Sequence, residues 1–112
     1  MKIVCIGGGP GGLYFAISIK LQNPNIEVVV IERNKPADTF GWGVVLSDDT
    51  LDNLERNDSI SAKKIRSNFA YWDDIALHHK GKKLKSTGHS FCGIGRNTLL
   101  VILQERAREL GV

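Results

Sequence analysis

The chain has 112 residues, of which 42% are hydrophobic and 24% charged, and its net charge is +3. This composition is ordinary for one soluble globular domain and excludes a disordered chain. The apolar runs, such as residues 28–31, are far too short to span a membrane. The first residues lack the basic, apolar and cleavage segments of a secretory signal, so the sequence predicts a cytoplasmic protein.

The positive charge is concentrated in one short segment, which contains Lys80, Lys82, Lys83 and Lys85. We interpret this segment as the solvated tip of a hairpin, with an anion-binding surface as the alternative. No nucleic-acid-binding motif accompanies the lysines, so we predict no nucleic-acid partner.

The two cysteines, Cys5 and Cys92, each lie inside an apolar run. This setting is typical of small buried thiols rather than of a disulfide or a metal site. The three histidines, His78, His79 and His89, stand at no metal-type spacing from the cysteines. We therefore predict no metal centre.

The first thirty residues are typical of a strand, a glycine turn, a helix and a second strand. The two strands are predicted over Lys2–Ile6 and Glu27–Ile31, each as a short β-branched run. Between them, apolar residues recur at helical spacing until Asn23-Pro24-Asn25 ends the pattern; these are Leu13, Ala16, Ile17 and Leu21. This order predicts a βαβ unit with two parallel strands.

The later elements alternate less regularly. In chain order, we predict a loop at Gly41-Trp42-Gly43, a helix capped by Ser47 to about Arg56, and a helix capped by Ser59 or Ser61 to about Phe69. A hairpin follows over 74–79 and 83–86, with its turn at 80–82, and then a strand near 90–94. The last predicted element is a helix over 98–110, with Asn97 as its N-cap and Gly111 at its C-terminal cap. A third parallel strand is expected where the sequence stops, at Val112. Two parallel strands alone leave open edges, so we expect a truncated sheet.

Glycines 7, 8, 9, 11 and 12 and Pro10 fill the turn between the first strand and the first helix. The segment fits G-x-G-x-x-G through Gly7, Gly9 and Gly12. In this motif, Gly7 permits the sharp turn after the strand, Gly9 lets the backbone approach a diphosphate, and Gly12 lets the helix lie close to the strand. Pro10 and Gly11 lie in the same turn. The helix N-terminus would then hold the diphosphate, so the motif predicts a dinucleotide site.

Glu32 lies twenty residues after Gly12, at the end of the second predicted strand. A carboxylate there can accept hydrogen bonds from ribose hydroxyls and would repel a 2′-phosphate, which disfavours NADP in this pocket. The alternative is a solvated charge paired with Arg33. About sixty residues separate Glu32 from the last predicted helix, whereas an NAD dehydrogenase normally runs promptly into a third parallel strand, so FAD is favoured.

Six segments together resemble the N-terminus of the single-component FAD-dependent aromatic hydroxylases. They are residues 7–12, Glu32-Arg33, residues 41–47 (GWGVVLS), residues 50–54 (TLDNL), residues 72–75 (WDDI) and residues 93–96 (GIGR). The resemblance covers essentially all 112 residues. It is strongest to the salicylyl-CoA 5-hydroxylase and 2-aminobenzoyl-CoA monooxygenase group, with the tryptophan hydroxylase of violacein biosynthesis more distant.

The resemblance implies a role for several residues. Glu32 would hold the adenosine ribose, and Arg33 would lie beside the adenine. The backbone of Gly43 and Val44 would pass close to the flavin. Arg96 would lie near the pyrophosphate and ribityl chain, where a guanidinium suits phosphate oxygens. The alternative for Arg96 is a surface arginine at a helix start, where the helix dipole disfavours a cation.

The aromatic residues and the neighbouring aspartates have less specific roles. Trp42 could stack on cofactor or substrate, or equally could plug the core. We predict that Tyr71 and Trp72 pack on the hairpin. Asp73 and Asp74 are not interpreted as a catalytic pair, because neighbours on a strand point to opposite faces.

The resemblance implies a partial Rossmann-like FAD-binding domain, here a βαβ unit with further helices, a hairpin and a C-terminal helix. In the family, NADH or NADPH reduces the flavin, and an electron-rich aromatic ring, possibly in a CoA thioester, takes one oxygen atom from dioxygen. The flavin carries the chemistry, so no catalytic residue is assigned. The family's second flavin motif and its substrate domain would follow residue 112, so we expect this chain alone to be inactive.

Two alternatives stay open at this point. One is an NAD- or FAD-binding module of another oxidoreductase class, such as a disulfide reductase or an amine oxidase, although no Cys-x-x-x-x-Cys pair follows Glu32. The other is a free-standing nucleotide-binding module. The half-built sheet argues against the second alternative.

Overall fold

The chain folds as a mixture of helices and strands, as predicted. A computed structural model describes residues 1–36 and 38–112. The elements in chain order are β1 (Lys2–Ile6), α1 (Pro10–Gln22), β2 (Glu27–Ile31), β3 (Gly43–Leu46), α2 (Asp48–Asn57), α3 (Ser59–Arg66), β4 (Ala70–Trp72), β5 (Ile75–His79), β6 (Lys82–Ser86), β7 (Phe91–Gly95) and α4 (Arg96–Glu109). The mixed α/β class is therefore confirmed.

The predicted βαβ unit is present at the start of the chain. β1 and β2 pair in parallel, in a register that runs from Lys2 opposite Glu27 to Ile6 opposite Ile31. One more backbone hydrogen bond, from Gly7 N to Ile31 O at 2.8 Å, extends the pairing past β1. This bond holds the glycine turn at the carboxyl end of β2.

The second sheet has three antiparallel strands in the order β3-β7-β4. We predicted only β7; the segments that form β3 and β4 were interpreted as a loop and as aromatic residues of the hairpin. The interpretation of Trp72 was wrong, because its ring stacks on Phe91 of β7 with centroids 5.8 Å apart. A Cβ at Gly93 would lie 3.0 Å from the Trp72 ring, so this glycine permits the close approach of β4 to β7. Tyr71 also lies in β4, opposite Cys92.

The β5–β6 hairpin is confirmed, with small shifts at its ends. Its turn has two residues, Lys80 and Gly81, with φ angles of 46° and 75°. Positive φ at both central positions is the geometry that matches the twist of a hairpin. Every residue of both strands is exposed. Asp73 and Asp74 precede β5 rather than lying in a strand, and Asp74 pairs with Lys85 at 2.6 Å.

Helix α4 lies at the centre of the core. The buried cluster contains Leu13 and Ile17 of α1, Ile65 of α3, Ile94 of β7, and Leu99, Leu100, Ile102, Leu103 and Ala107 of α4. The helix ends in a Schellman motif, with hydrogen bonds from Val112 N to Ala107 O and from Gly111 N to Arg108 O, both at 3.0 Å. Gly111 has a φ of 81°, so its predicted place at the C-terminal cap is confirmed.

Two predicted N-caps were wrong, and one was right. Ser47 caps α2 by accepting a hydrogen bond from Thr50 N at 3.3 Å. α4 begins at Arg96 with Gly95 at its N-cap, so Asn97 lies inside the helix. The N-cap of α3 is Asp58, not a serine, and its carboxylate makes a bidentate contact with Arg106 of α4.

The Arg106–Asp58 contact is a buried ion pair that joins the α2–α3 corner to α4. Arg106 donates from Nε to Asp58 Oδ2 at 2.8 Å and from Nη2 to Asp58 Oδ1 at 3.0 Å, and the two side chains are 9% and 3% exposed. Glu109 accepts a third hydrogen bond from Nη1 of Arg106 at 3.1 Å. Such a bidentate arrangement satisfies both charges inside the protein.

Both cysteines are free thiols. Cys92 is buried and its Sγ lies 3.3 Å from Leu46 O, whereas Cys5 is only half-buried. Over residues 1–36 and 38–112, no cluster of histidine, cysteine and carboxylate residues could hold a metal ion. In the same ranges, no helix has both the length and the apolar character needed to cross a membrane.

Candidate dinucleotide site

The glycine turn between β1 and α1 depends on two glycines for its shape. Gly7 has a φ of +108°, a conformation that other residues rarely adopt. A Cβ at Gly12 would overlap the carbonyl oxygen of Gly7, so a side chain there would separate helix and turn. By contrast, a Cβ at Gly9 or Gly11 would meet nothing within 4 Å. The outer side of the turn is therefore open, as a backbone that approaches a ligand requires.

The first turn of α1 presents open hydrogen-bond donors on this side. The first backbone bond within the helix runs from Leu13 N to Gly9 O at 3.0 Å. Pro10 has no N–H, so Gly11 and Gly12 are the residues of the first turn whose amide groups stay free among residues 1–36 and 38–112. Gly9 provides no side-chain cap, and the first turn contains no acidic residue. Both features leave the positive end of the helix dipole available to an anion.

Glu32 lies directly after β2 and accepts three hydrogen bonds from two segments. Its Oε2 accepts from Gly8 N at 2.7 Å, and its Oε1 accepts from the backbone N and the Nδ2 of Asn34, both at 2.9 Å. The bonds from the backbone amides of Asn34 and then Gly8 lower the pKa of Glu32 below its ordinary value. The carboxylate is therefore ionised at neutral pH.

Both hydrogen-bond partners of Glu32, Gly8 and Asn34, were not predicted from the sequence. A Cβ at Gly8 would lie 2.9 Å from Cβ of Glu32, so this glycine is required by the glutamate rather than by the turn. The dinucleotide fingerprint leaves the Gly8 position unspecified and therefore gives no signal there. For Asn34, the only available signal is an amide side chain two residues after a strand-end carboxylate. The alternative pairing of Glu32 with Arg33 is absent from the described part of the chain, where Arg33 is exposed.

Arg96 is held at the first position of α4 by contacts with the loop that precedes β3. Its backbone N–H donates to Trp42 O at 3.2 Å, and its Nε donates to Thr39 Oγ1 at 3.0 Å. Gly41, with a φ of +112°, lies so close that a Cβ there would be 3.4 Å from Cδ of Arg96. Neither terminal nitrogen of Arg96 has a hydrogen bond to a residue in the described ranges. Thr39 and Gly41 are thus supporting residues that the sequence did not reveal.

The fold brings the predicted residues of the turn, β2 and α4 together around one cleft. This cleft has a volume of about 90 Å³, and its lining includes Gly8, Gly9, Glu32, Asn34 and Arg96. It combines a carboxylate, a cation and an open glycine turn. A larger cleft of about 370 Å³ also contains Gly8 and Glu32 and runs along β2 and the end of α4.

The remaining predicted residues lie on the other side of Arg96. Pro10, Val44 and Arg96 line a predominantly apolar cleft of about 370 Å³ between α1, β3, α2 and α4. Gly43 pairs with Gly95, and a Cβ on Gly43 would lie 3.0 Å from Ile94 O, which gives this glycine a structural reason. Trp42 is 99% exposed, so it does not plug the core.

The chain is similar over its whole length to three curated proteins. It is 47% identical over 112 residues to salicyloyl-CoA 5-hydroxylase from Streptomyces sp. and covers 22% of that protein. It is 34% identical over 113 residues to protodeoxyviolaceinate monooxygenase from Chromobacterium violaceum and covers 30% of it. It is 30% identical over 112 residues to 3-hydroxy-4-methyl-anthranilyl-(aryl-carrier protein) 5-monooxygenase from Streptosporangium sibiricum and covers 32% of it. The chain thus spans less than a third of each relative. No family model matches it.

Solved structures agree with these relatives. A variant of 2-methyl-3-hydroxypyridine-5-carboxylic acid oxygenase superposes with a TM-score of 0.78 at 28% identity, covering 99% of this chain and 30% of that one. A peptidyl tryptophan dihydroxylase matches with a TM-score of 0.66 at 21% identity, covering 98% of this chain and 23% of that one, and supports the fold alone. The resemblance predicted from the sequence is therefore confirmed: the homologues of this chain are salicyloyl-CoA 5-hydroxylase and related FAD-dependent aromatic monooxygenases.

Proposed function

We propose that the chain forms the adenosine-diphosphate half of the FAD site in an aromatic-ring monooxygenase. In this proposal, residues 1–112 are the N-terminal portion of a Rossmann-like FAD-binding domain in a longer cytoplasmic protein. The observation that carries the proposal is the cleft in which Gly9, Glu32 and Arg96 meet. An adenosine diphosphate requires an acceptor for its ribose and donors for its phosphates, and the presence of a carboxylate, a guanidinium and an open glycine turn in one cleft supports the proposal.

The ribose end of the cofactor is assigned to Glu32. A carboxylate has about four acceptor positions, and three of those on Glu32 are used by Gly8 and Asn34. The remaining position is on Oε2, the oxygen with one bond, and it would accept from a ribose hydroxyl. Arg33, exposed beside this carboxylate, would lie against the adenine. The ionised carboxylate disfavours a 2′-phosphate, as expected for FAD.

The diphosphate is assigned to the glycine turn and to Arg96. The amides of Gly11 and Gly12 would donate to phosphate oxygens at the start of α1, and Gly9 has no side chain to obstruct them. The terminal nitrogens of Arg96 would donate to the same group from the start of α4. Two helix N-termini and a guanidinium would then face one dianionic group, which is the charge balance that the site requires.

The flavin end of the cofactor is assigned to Gly43 and Val44, beyond Arg96. Val44 lines the apolar cleft that Arg96 also borders, so the ribityl chain of a cofactor that extends past Arg96 would reach this cleft. FAD, when bound, would take electrons from NADH or NADPH and use dioxygen to hydroxylate an aromatic ring. The residues of this chain would bind and orient the cofactor. An aryl-CoA thioester is the proposed substrate class, because salicyloyl-CoA 5-hydroxylase is 47% identical.

A titration of FAD into the longer protein that contains this chain tests the ribose contact. We expect Glu32→Ala to weaken FAD binding by about 10- to 100-fold, because the variant loses a charge-assisted hydrogen bond to the ribose. Glu27→Ala is the matched control, since Glu27 is an exposed carboxylate at the other end of β2. Flavin fluorescence quenching reports the affinity. Equal affinities for all three proteins would refute the ribose assignment.

The same titration tests Arg96. We expect Arg96→Ala to weaken FAD binding by about tenfold while the thermal unfolding midpoint without FAD stays close to that of the parent. Arg66→Ala is the control, because Arg66 is a half-exposed arginine that forms a long ion pair with Asp52 at 3.7 Å. A large fall in the midpoint of Arg96→Ala would instead show that the arginine is structural.

A further inference from the structure

Asn34 makes a contact with Glu32 that the assigned cofactor roles do not explain. Its backbone N–H and its side-chain amide both donate to Oε1 of the same carboxylate at 2.9 Å. We propose that Asn34 is a positioning residue for cofactor binding, which, together with Gly8, holds the Glu32 carboxylate with one acceptor position free on Oε2. This inference rests on the proposed FAD site.

The need for a positioning residue follows from the exposure of Glu32. An exposed glutamate samples many rotamers, and ordering it on ligand binding costs free energy. Here, the carboxylate is already ordered before any ligand binds, since Asn34 holds one oxygen and Gly8 holds the other. The two anchors come from different segments, the loop after β2 and the turn after β1. The acceptor is therefore preorganised at the junction of these two segments.

The residue type at position 34 is also specific. One bond to Oε1 comes from the backbone N–H and does not depend on the side chain, whereas the other requires a side-chain donor, which the short neutral amide of asparagine supplies. An aspartate at this position would place a second carboxylate against Oε1 and repel Glu32. Gly8 restricts the opposite side, because a Cβ there would lie 2.9 Å from Cβ and 3.5 Å from Oε2 of Glu32. Asn34 and Gly8 thus restrict the carboxylate from two sides.

A simpler explanation is that Asn34 binds the cofactor directly or only stabilises its loop. Asn34 lines both clefts beside Glu32, so direct binding is a real competitor. The two explanations differ in a double-mutant cycle. A positioning residue loses its effect when the group it positions is absent, whereas a direct ligand keeps its effect.

The test is therefore FAD affinity for Asn34→Ala, Glu32→Ala and the double variant, with Asn25→Ala as an exposed asparagine control. We expect Asn34→Ala to weaken binding by about five- to tenfold in the parent and to change nothing further in the Glu32→Ala background. Equal losses in both backgrounds would overturn the inference and make Asn34 an independent ligand. No loss in the parent background would also overturn it.

A pH profile gives a second readout that a purely structural residue would not move. In Asn34→Asp, the new carboxyl is ionised near neutral pH and repels Glu32, but it becomes a donor once protonated. Contact between two carboxylates raises the pKa of one of them, so FAD affinity of this variant should begin to recover as the pH falls towards about 5, while that of Asn34→Ala stays low. A parallel pH dependence of the two variants would contradict the positioning role.

These arms also separate the inference from the function on which it rests. If Glu32→Ala leaves FAD affinity unchanged, the proposed ribose contact has failed and the positioning role fails with it. If Glu32→Ala weakens binding but Asn34→Ala does not, the proposed function stands and only the inference is lost.

Discussion

The α1–α4 core with its adjoining cleft and the β5–β6 hairpin show two different ways of stabilising a segment. In the core, contacts come from distant parts of the chain: Arg106 reaches Asp58, and Glu32 reaches Gly8. In the hairpin, the stabilising contacts are local, a two-residue turn, the strand ladder and the Asp74–Lys85 ion pair. The same kind of substitution should therefore have different consequences in the two regions.

The overall dimensions reflect this difference. The radius of gyration is 16.9 Å, with extents of 58 × 29 × 19 Å. A compact domain of this length is expected to have a radius of about 13 Å. The hairpin contributes no residue to the buried core, so the excess length is consistent with an element that lies away from it. Stability is thus concentrated in the helical end of the molecule.

The largest effect should come from Arg106, whose removal leaves Asp58 buried and unpaired. We expect Arg106→Met to lower the free energy of unfolding by about 3–5 kcal/mol. Urea denaturation followed by circular dichroism measures the change. Arg108→Met is the matched control, because Arg108 is exposed two residues further along α4 and should change stability by no more than about 0.5 kcal/mol. Similar losses for the two variants would show that the ion pair is not buried in solution.

A smaller effect is expected at the glycine turn, where two neighbouring glycines differ sharply. Gly12→Ala would press a methyl group against the Gly7 carbonyl oxygen and should cost about 1–3 kcal/mol, measured without FAD. Gly11→Ala meets no atom within 4 Å and should be neutral or slightly stabilising, because alanine favours a helix. If both substitutions are tolerated equally, the close contact of α1 with the turn is wrong.

Acid should also lower the free energy of unfolding, because it protonates Asp58 in the buried ion pair. Unlike the loss in Arg106→Met, this loss should develop gradually as the pH falls. Burial acts to raise the pKa of Asp58, but the hydrogen bonds from Arg106 and Ser61 outweigh it, so the pKa lies below its ordinary value. A lowered folded-state pKa means that the contribution to stability is complete above the unfolded pKa of about 3.9. It is lost as the pH falls through the folded value.

The measurement is the unfolding free energy against pH for the parent and for Asp58→Asn. The lowered pKa values of Glu32 and Glu109 give both proteins a shared decline in acid. The difference between the two proteins therefore isolates Asp58, and we expect it to shrink below about pH 4. A difference that stays constant down to the lowest pH would contradict the role of the ionised carboxylate.

Much of the fold could be predicted because its signals are local. Lys2–Ile6 and Glu27–Ile31 were predicted with the bounds that the structure has, since a β-branched run between turn residues is a strong signal. Ser47 was identified as a cap because its partner is three residues away. The strands β3 and β4 were missed, since they have only four and three residues and a run this short gives a weak periodic signal. Their pairing with β7 is a tertiary choice that no local pattern encodes.

The site could be predicted only as far as its motif extends. Gly7, Gly12 and Glu32 belong to the dinucleotide fingerprint, and the structure gives each a geometric reason. Gly8 and Thr39 contact side chains that are 24 and 57 residues away in the sequence. The residues around Gly8 and Thr39 therefore do not indicate these contacts. The same applies to the Arg106–Asp58 pair, with partners 48 residues apart.

The smallest effect is expected in the hairpin. Leu84 lies opposite Leu77 on adjacent strands, yet the two residues are 60% and 57% exposed. Leu84→Ala should therefore change the free energy of unfolding by no more than about 0.5 kcal/mol, whereas Leu103→Ala, at a position 2% exposed, should cost about 2–5 kcal/mol. If Leu84→Ala costs more than about 1 kcal/mol, its side chain must be covered in solution. A loss that grows with protein concentration would then identify the cover as a second copy of the chain, because dissociation would be part of unfolding. A loss independent of concentration would mean that the hairpin folds back onto the core, and the contrast between the two regions would be wrong.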